Sequence, residues 1–328
     1  MEGACCAGEP AVIHLLFTGG TIAMQRDAAA GGNVPAHGGE ALVELAPGLE
    51  TISPYRIENW ARLPACHLGP DRLWALRNRV CELAASGEVM GIVVTHGTDT
   101  IEETAYLLSR TLPSRVPVAI TGAMLTSSDE GWDGPRNLLD AARVAASPAS
   151  GGRGAMVVFH GMILAGDTAV KTHATEPAAF SAPHALPLGR VAGTRVVYDA
   201  PVPEPPRAVQ PGEGLTARVA LVPLVVGDDG TMLDLARPEH DGVVVEAFGS
   251  GNMPPGAVPA VRRWLDDGKP VVLATRCLYG QVTPLYAFDG GGARTVALGA
   301  IPAGPRTPSQ ARMELMLALS AGVAYGTQ

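Results

Sequence analysis

Apolar runs of strand length alternate along this chain with longer segments whose apolar residues recur every three or four positions. The first run, 11–17, leads straight into Gly19, Gly20 and Thr21. Further strands are predicted at 55–60, 89–97, 116–124 and 154–162. Between them, 71–86 places Leu73, Leu76, Val80 and Leu83 on one face, which is the apolar stripe of a helix. Helices are also predicted from Ile101 to Thr111 and from Gly134 or Pro135 to Ala146, where Pro135 suits a first helical turn. Such alternation predicts an α/β fold, a doubly wound and mainly parallel sheet covered by helices on both faces.

The pattern is interrupted twice. Residues 198–214 hold five prolines and no period, which predicts an extended, semi-rigid surface connector. We therefore expect a larger domain over 1–197, a connector over 198–216 and a smaller α/β domain over 217–328. In the latter, 218–227, 242–252 and 270–277 read as strands, and 258–268 and 309–322 as helices. The second interruption, 26–40, is rich in Gly and Ala without an apolar period, as expected of a mobile loop able to close over a site.

Composition narrows the function classes. A chain of 328 residues that is 47% hydrophobic can bury two domain cores. The net charge is -8, from 24 Lys+Arg against 32 Asp+Glu, with no dense basic cluster, which argues against a nucleic-acid partner. No apolar stretch approaches the ~20 residues that cross a bilayer. The N-terminus lacks the charged and apolar regions of a signal peptide, so 11–17 reads as a first strand. Cys5, Cys6, Cys66, Cys81 and Cys277 make an odd set without CxxC spacing, so neither a disulfide framework nor a zinc site is signalled and a cytoplasmic location is expected. No metal or cofactor is expected, and His160 and His173 read as structural.

In a doubly wound sheet, ligands bind beyond the carboxyl ends of the strands. Three turns follow strands here: TGGTIA (18–23), THGTDTIEET (95–104) and TGAM (121–124). As a phosphate cradle the first is weak, having no GxGxxG, no P-loop Lys-Ser/Thr pair and no acidic residue about twenty positions on. It does offer the Thr21 hydroxyl, with Gly19 and Gly20 leaving room for a substrate near the backbone. Asp99-x-x-Glu102 alone reads as a variant capping box worth ~1 kcal/mol. However, Thr95, His96, Thr98 and Thr100 supply more polar groups than a cap requires, and Thr98 is placed to help activate a nucleophile. A threonine hydroxyl needs a base or a proton network. Lys171 is the candidate, a lone basic residue among small and apolar neighbours whose burial would lower its pKa; an isolated lysine otherwise reads as a solvated surface residue.

TGGTIA and HGTDT, in that order, are followed by ITGAM (120–124), DGPRNLLDA (133–141), KTHATEPAAFSAP (171–183) and GSGN (249–252). This series resembles the bacterial L-asparaginase family, also called the asparaginase/glutaminase family, over nearly the whole chain. The resemblance implies hydrolysis of a side-chain amide through an acyl-enzyme on a threonine. Thr21 would be the nucleophile, and Thr98, Asp99 and Lys171 a second cluster that moves protons. Asp99 would also hold the substrate's α-ammonium, with Gly20 giving it access and the backbone near Thr98 and Ala123 surrounding the amide. The family pairs two chains so that the small domain of one closes the site of the other, usually within a tetramer; Asn252 matches the residue that crosses this interface.

Two departures stand out. The family's loop usually carries a tyrosine bonded to the nucleophile, whereas 26–40 has none, and Gly32 or Asn33 occupies its place. Where the family generally has a serine and then a serine, threonine or glutamine for the α-carboxylate, this chain has Ala65 and Cys66. Losing a charge-assisted hydrogen bond costs on the order of 1.5 to 3 kcal/mol, roughly ten- to a hundredfold in affinity. The expectation is an L-asparagine amidohydrolase with weakened substrate affinity. The alternatives are an amidohydrolase of asparagine derivatised at its α-carboxyl or α-amine, and a catalytically weak amino-acid-binding homologue. An amidotransferase component acting with tRNA is set aside, because it would need a further N-terminal domain and tRNA-attracting charge. Cys66 as nucleophile has only His67 near it in sequence, and Thr21 fits better.

Overall fold

The structure, a computed structural model, describes residues 12–113, 115–202 and 208–326. Cys5, Cys6 and part of the proline-rich stretch, 203–207, lie outside these residues. The described chain divides into two compact units, one over 12–181 and 187–202, the other over 182–186 and 208–326.

In the first unit the chain runs β1 (Val12–Gly19), β2 (Met24–Asp27), β3 (Gly32–Pro35), α1 (Gly39–Glu44), β4 (Tyr55–Leu63), α2 (Pro70–Ala85) and β5 (Val89–Thr95). It continues through α3 (Ile101–Thr111), β6 (Val118–Thr121), α4 (Gly134–Ala146), β7 (Ala155–Phe159), β8 (Met162–Ala165), β9 (Val170–Lys171), β10 (Phe180–Ser181), β11 (Gly189–Ala192) and β12 (Arg195–Tyr198). One eight-stranded sheet has the order β12-β11-β8-β7-β6-β5-β1-β4. Strands β4, β1, β5, β6 and β7 are parallel, and β8, β11 and β12 add an antiparallel edge. The sheet is thus mainly parallel, as the alternation of elements predicts. At the edge, a turn at His160 and Gly161, both at positive φ, reverses the chain after β7 before any helix can form.

Helix α2 buries Leu73, Leu76, Val80 and Leu83, the stripe its spacing predicts. Strand β1 is buried over Ile13, Leu15, Leu16 and Phe17, as befits a central strand covered on both faces. Helix α4 lies so close to β5 that a Cβ on Gly91 would stand 2.0 Å from the Ala145 carbonyl oxygen. The chain leaves β1 to form β4 on one side and then crosses to form β5 on the other. The order thus reverses around β1, which makes the carboxyl ends of β1 and β5 the crevice where such sheets bind ligands.

The 26–40 stretch forms more structure than its composition suggests. Strands β2 and β3 pair as an antiparallel hairpin, its tip fixed by Asp27 accepting from the Ala29 and Ala30 amides. The Arg26 amide donates to Ser128 Oγ and its guanidinium pairs with Asp129. The ribbon is largely exposed, so no apolar period marks it in the sequence.

The second unit holds β13 (Val219–Pro223), α5 (Thr231–Ala236), β14 (Gly242–Ala247), α6 (Val258–Asp266), β15 (Val271–Thr275), α7 (Gly292–Ala297), β16 (Ile301–Pro302) and α8 (Pro308–Ala321). Its four strands are parallel in the order β13-β14-β15-β16. Trp264 is fully buried and donates to the Leu233 carbonyl at 2.9 Å, which joins α6 to α5. Helix α8 opens with a Thr307/Gln310 capping box.

His96, the residue after β5, joins that strand's exit to α3. Its Nδ1–H donates to the Gly97 carbonyl at 2.8 Å, and its Nε2 accepts from the Thr104 hydroxyl at 3.0 Å. Complete burial pushes its pKa down to about 4, so the ring is neutral in the folded protein at pH 7. An unfolded histidine takes its proton near pH 6.5, before the folded one does. This stabilisation is therefore complete above about pH 6.5 and is lost as the pH falls toward 4, with a total on the order of 3 kcal/mol. Burial lowers the His14 pKa as well, so it acts in the same direction. Urea unfolding of the wild type should show stability falling between pH 7 and 4.5, and His96→Gln should show a shallower fall over that range. An unchanged slope in the variant would remove His96 from this account.

Candidate active site

The first candidate turn is shaped by backbone approach. Gly19 and Gly20 have φ of 109° and 85°, a region that residues with a Cβ rarely enter. A Cβ on Gly19 would meet the Leu63 amide nitrogen at 2.6 Å, and one on Gly20 would meet Gly97 Cα and N at 2.4 Å. Two consecutive glycines are required because this turn is pressed between the end of β4 and the exit of β5. Thr21 then opens a short 3-10 turn, Thr21–Ala23, with its own side chain partly buried and Ile22 and Ala23 in the core.

The second turn converges on the same place. Thr98–Thr100 is a 3-10 turn leading into α3, and its N-terminal neighbour Gly97 packs on Gly20. A Cβ on Gly97 would lie 2.7 Å from Ala65 Cβ, and one on Gly122 would lie 2.4 Å from the His96 carbonyl oxygen and 3.4 Å from Thr98 Cγ2. Gly20, Ala65, Thr98 and the Gly122–Ala123 turn are thus gathered by close contacts in which every participant is small.

Lys171 reaches this cluster from the short β9–β10 hairpin. Its Nζ donates to Thr98 Oγ1 at 2.9 Å and to Asp99 Oδ1 at 2.9 Å, while its backbone N–H donates to Glu102 Oε2 at 3.1 Å. The lysine side chain is 16% exposed, so it is not the solvated surface residue that its isolation in sequence suggests. The capping reading of Asp99 is also corrected. Thr100 is the residue that precedes α3, no side chain caps that helix, and Asp99 and Glu102 are both directed at Lys171. Asp99 is 67% exposed, leaving its carboxylate open toward a depression lined by Asp99, Lys171, Thr172, His173 and Ala174.

Two residues of the DGPRNLLDA segment, to which sequence reasoning gave no role, hold the third turn. The Asp133 carboxylate accepts from the Met124 and Leu125 amides, at 3.0 Å for the shorter Met124 contact and 3.0 Å for Leu125. Buried Asn137 donates to the Gly122 carbonyl at 3.0 Å and to Asp133 Oδ2 at 3.0 Å, and accepts from the His160 amide. An Asp and an Asn four positions apart at a helix start are a visible signal for anchoring a neighbouring loop.

The departures are plain in the structure. Asn33 lies on β3 opposite Arg26, and both are exposed. Ala65 is buried at the start of a 3-10 turn, where Cys66 is exposed. Asn252 belongs to the second unit, where its side-chain oxygen accepts from the Gly292 amide at 3.1 Å. Among the described residues, no group of His, Cys, Asp and Glu is arranged to hold a metal, and no helix is long and apolar enough to cross a membrane.

Residues 12–203 match the family Asparaginase, N-terminal, and residues 218–325 match the Glutaminase/Asparaginase C-terminal domain. The chain is 39% identical over 318 residues to the "Probable L-asparaginase" of Deinococcus radiodurans, covering 94% of this chain and 93% of that one. It is 30% identical over 320 residues to "L-asparaginase 2" of Escherichia coli, covering 94% of this chain and 88% of that one. A component of the Glutamyl-tRNA(Gln) amidotransferase of Pyrococcus furiosus is 29% identical over 320 residues, covering 94% of this chain and 72% of that protein. Among solved structures, the "Probable Cytoplasmic L-asparaginase" of Campylobacter jejuni superposes with a TM-score of 0.84 at 29% identity, over 94% of this chain and 95% of that one. Both halves of the family match in order, and the fold is shared almost end to end, so the chain belongs to the asparaginase family of amidohydrolases.

Proposed function

We propose that this enzyme hydrolyses the side-chain amide of L-asparagine, giving L-aspartate and ammonia, through an acyl-enzyme on Thr21. The observation that carries the reading is the Lys171 ammonium held 2.9 Å from both Thr98 and Asp99, beside the Gly20–Gly97 contact that delivers Thr21. In the first step the Thr21 hydroxyl oxygen attacks the amide carbon, and its proton passes through the Thr98–Lys171 pair to the leaving nitrogen. Ammonia departs and an ester remains on Thr21. A water then attacks that ester, its proton returns to Thr21 by the same path, and L-aspartate is released.

Asp99 serves two purposes in this reading. It fixes Lys171 and offers its exposed oxygen to the substrate's α-ammonium, which sets the distance from that charge to the scissile amide. The turn that Asp133 and Asn137 hold would wall the amide through Ala123. The familial arrangement of paired chains, with Asn252 serving the neighbouring site, belongs to this proposal. So does a cytoplasmic location, which the likeness to the cytoplasmic enzyme of Campylobacter jejuni supports.

Ala65 and Cys66 favour a second reading, an asparagine derivative blocked at its α-carboxyl or α-amine. Kinetics separates the two. Thr21→Ala should abolish ammonia release from L-asparagine in a folded protein, and Lys171→Met should lower kcat by roughly a hundred- to ten-thousandfold. Undiminished turnover in Thr21→Ala would overturn the threonine mechanism. Restoring the hydroxyl with Ala65→Ser should lower KM for L-asparagine by about tenfold. A folded wild type that is inert on L-asparagine but active on an α-blocked derivative would establish the second reading instead.

A further inference from the structure

A 3-10 turn of three residues supplies little stability of its own, so what fixes Thr21 must come from the main chain on either side of it. On the near side stands the Gly20–Gly97 contact. On the far side, the Met24 amide closes the turn by donating to the Thr21 carbonyl. The carbonyls of Ala23 and Met24 then require donors from outside the turn. That of Ala23 accepts from the amides of Ala36 and His37, at 2.9 and 3.0 Å. Pro35, paired with Met24 across the β2–β3 ribbon, has no N–H to give.

Ser127 supplies the missing donors. Its amide and its hydroxyl both donate to the Met24 carbonyl, at 3.4 and 3.2 Å. With that proton engaged, the Ser127 oxygen is an acceptor, and the His37 Nε2–H donates to it at 2.8 Å. The His37 ring also stacks on Trp132, with centroids 6.3 Å apart. Ser127 belongs to the segment that leaves the Gly122–Ala123 turn, and that segment is itself fixed on both sides. Asp133 accepts from the Met124 and Leu125 amides before it, and Asp129 accepts from the Thr126 amide and hydroxyl at 2.9 and 2.7 Å. A serine and a histidine thus join the chain just beyond Thr21 to the chain just beyond Ala123.

We propose that Ser127 and His37 are positioning residues, which hold the main chain beyond Thr21 against the loop beyond Ala123 and so set the approach of the Thr21 hydroxyl to the scissile amide. The proposal rests on the threonine reading given above, with Ala123 walling the amide. Both residues act through backbone, one end carrying the nucleophile and the other confining its target. A displacement of about 1 Å at a reacting group costs up to roughly a hundredfold in rate. The effect belongs to the reaction step and not to substrate affinity, because Ser127 and His37 bond to each other and to Met24, and not to Asp99, which on that reading receives the α-ammonium.

Two pairs of substitutions test this. Ser127→Ala removes the hydroxyl and leaves the amide, and Ser127→Thr restores the hydroxyl. His37→Asn withdraws the donor, whereas in His37→Gln the side-chain nitrogen takes the Nε2 position. Each variant is assayed for ammonia release from L-asparagine, or from an α-blocked derivative if the wild type hydrolyses only that, with thermal unfolding measured alongside. Ser127→Ala should lower kcat and kcat/KM together by roughly ten- to a hundredfold, with KM within about twofold of wild type, as expected when an interaction is lost from the transition state. His37→Asn should lower kcat by about three- to tenfold in the same pattern. Ser127→Thr and His37→Gln should recover most of each loss. A packing role alone would lower the unfolding temperature and leave kcat unchanged below it. Unchanged kcat in folded Ser127→Ala, an effect on KM alone, or a loss that Ser127→Thr fails to recover overturns the proposal and leaves the threonine reading intact. Should Ser127→Ala not fold, His37→Asn with its His37→Gln control decides by the same criteria. Undiminished turnover in Thr21→Ala overturns the reading and the proposal with it.

Discussion

The structure of the site depends on one steric constraint, the contact between the backbones of Gly20 and Gly97. A methyl group on Gly20 would come within 2.4 Å of Gly97, a separation real Cβ atoms essentially never show. This contact brings the exits of β1 and β5 together where the strand order reverses. It sets Thr21 on one side and Thr98 on the other without a side chain between them. The constraint extends outward, because Gly97 is in turn packed against Ala65 and the His96 carbonyl against Gly122. Four loops meet through small residues, and the functional side chains project from their margins.

A lysine withdrawn from water is stable only where its charge and donors are matched. Here Lys171 has Asp99 and Thr98 at 2.9 Å, and its main chain is held by Glu102. The same three acceptors lie on the turn and first helical residues that follow β5. The hairpin carrying Lys171 is therefore tied to the second candidate turn through a side chain and a backbone amide at once. His96 secures that turn from below, neutral and fully buried between Gly97 and Thr104. Polar groups that read as a crowded capping motif in sequence are thereby divided between holding the turn and binding Lys171.

Sequence patterning predicts the buried elements well because burial imposes a period. The α2 stripe and the apolar run of β1 are examples, and α3 forms over Ile101–Thr111, the residues its pattern predicts. The β2–β3 hairpin escapes such patterning because an exposed two-stranded ribbon needs no apolar face; its order comes from Asp27 at the tip and from the bonds of Arg26 to Ser128 and Asp129. The antiparallel edge escapes for another reason. Its strands are only four residues long, too short for a period to register, and the reversal after β7 relies on a positive φ at His160 that its residue type does not announce. In the candidate site, the motifs mark Thr21, Thr98, Asp99 and Lys171 by residue type and spacing. Asp133 and Asn137 act through bonds to a turn eight to fifteen residues away in sequence, and such partners emerge only once the chain is folded.

The parts of the candidate site that keep the family pattern and most of the positions that depart from it occupy different mechanical environments. Thr21, Thr98 and the Gly122–Ala123 turn are fixed by backbone contacts in which a single added carbon would collide. Cys66 is exposed on its short turn and Asn33 on the β2–β3 ribbon, whereas Ala65 is buried against Gly97. Exchanging a side chain on an exposed turn changes the surface a ligand meets and usually costs less than about 0.5 kcal/mol of stability. The same exchange at Gly20 or Gly97 would displace the strand exits themselves. On the proposed reading, a fold of this kind can alter how it receives the α-substituents of its substrate while the geometry around the scissile amide stays fixed. Cys66 and Asn33 lie where that freedom exists, while Ala65 fits the packed contact with Gly97 as the smallest side chain that carries a Cβ.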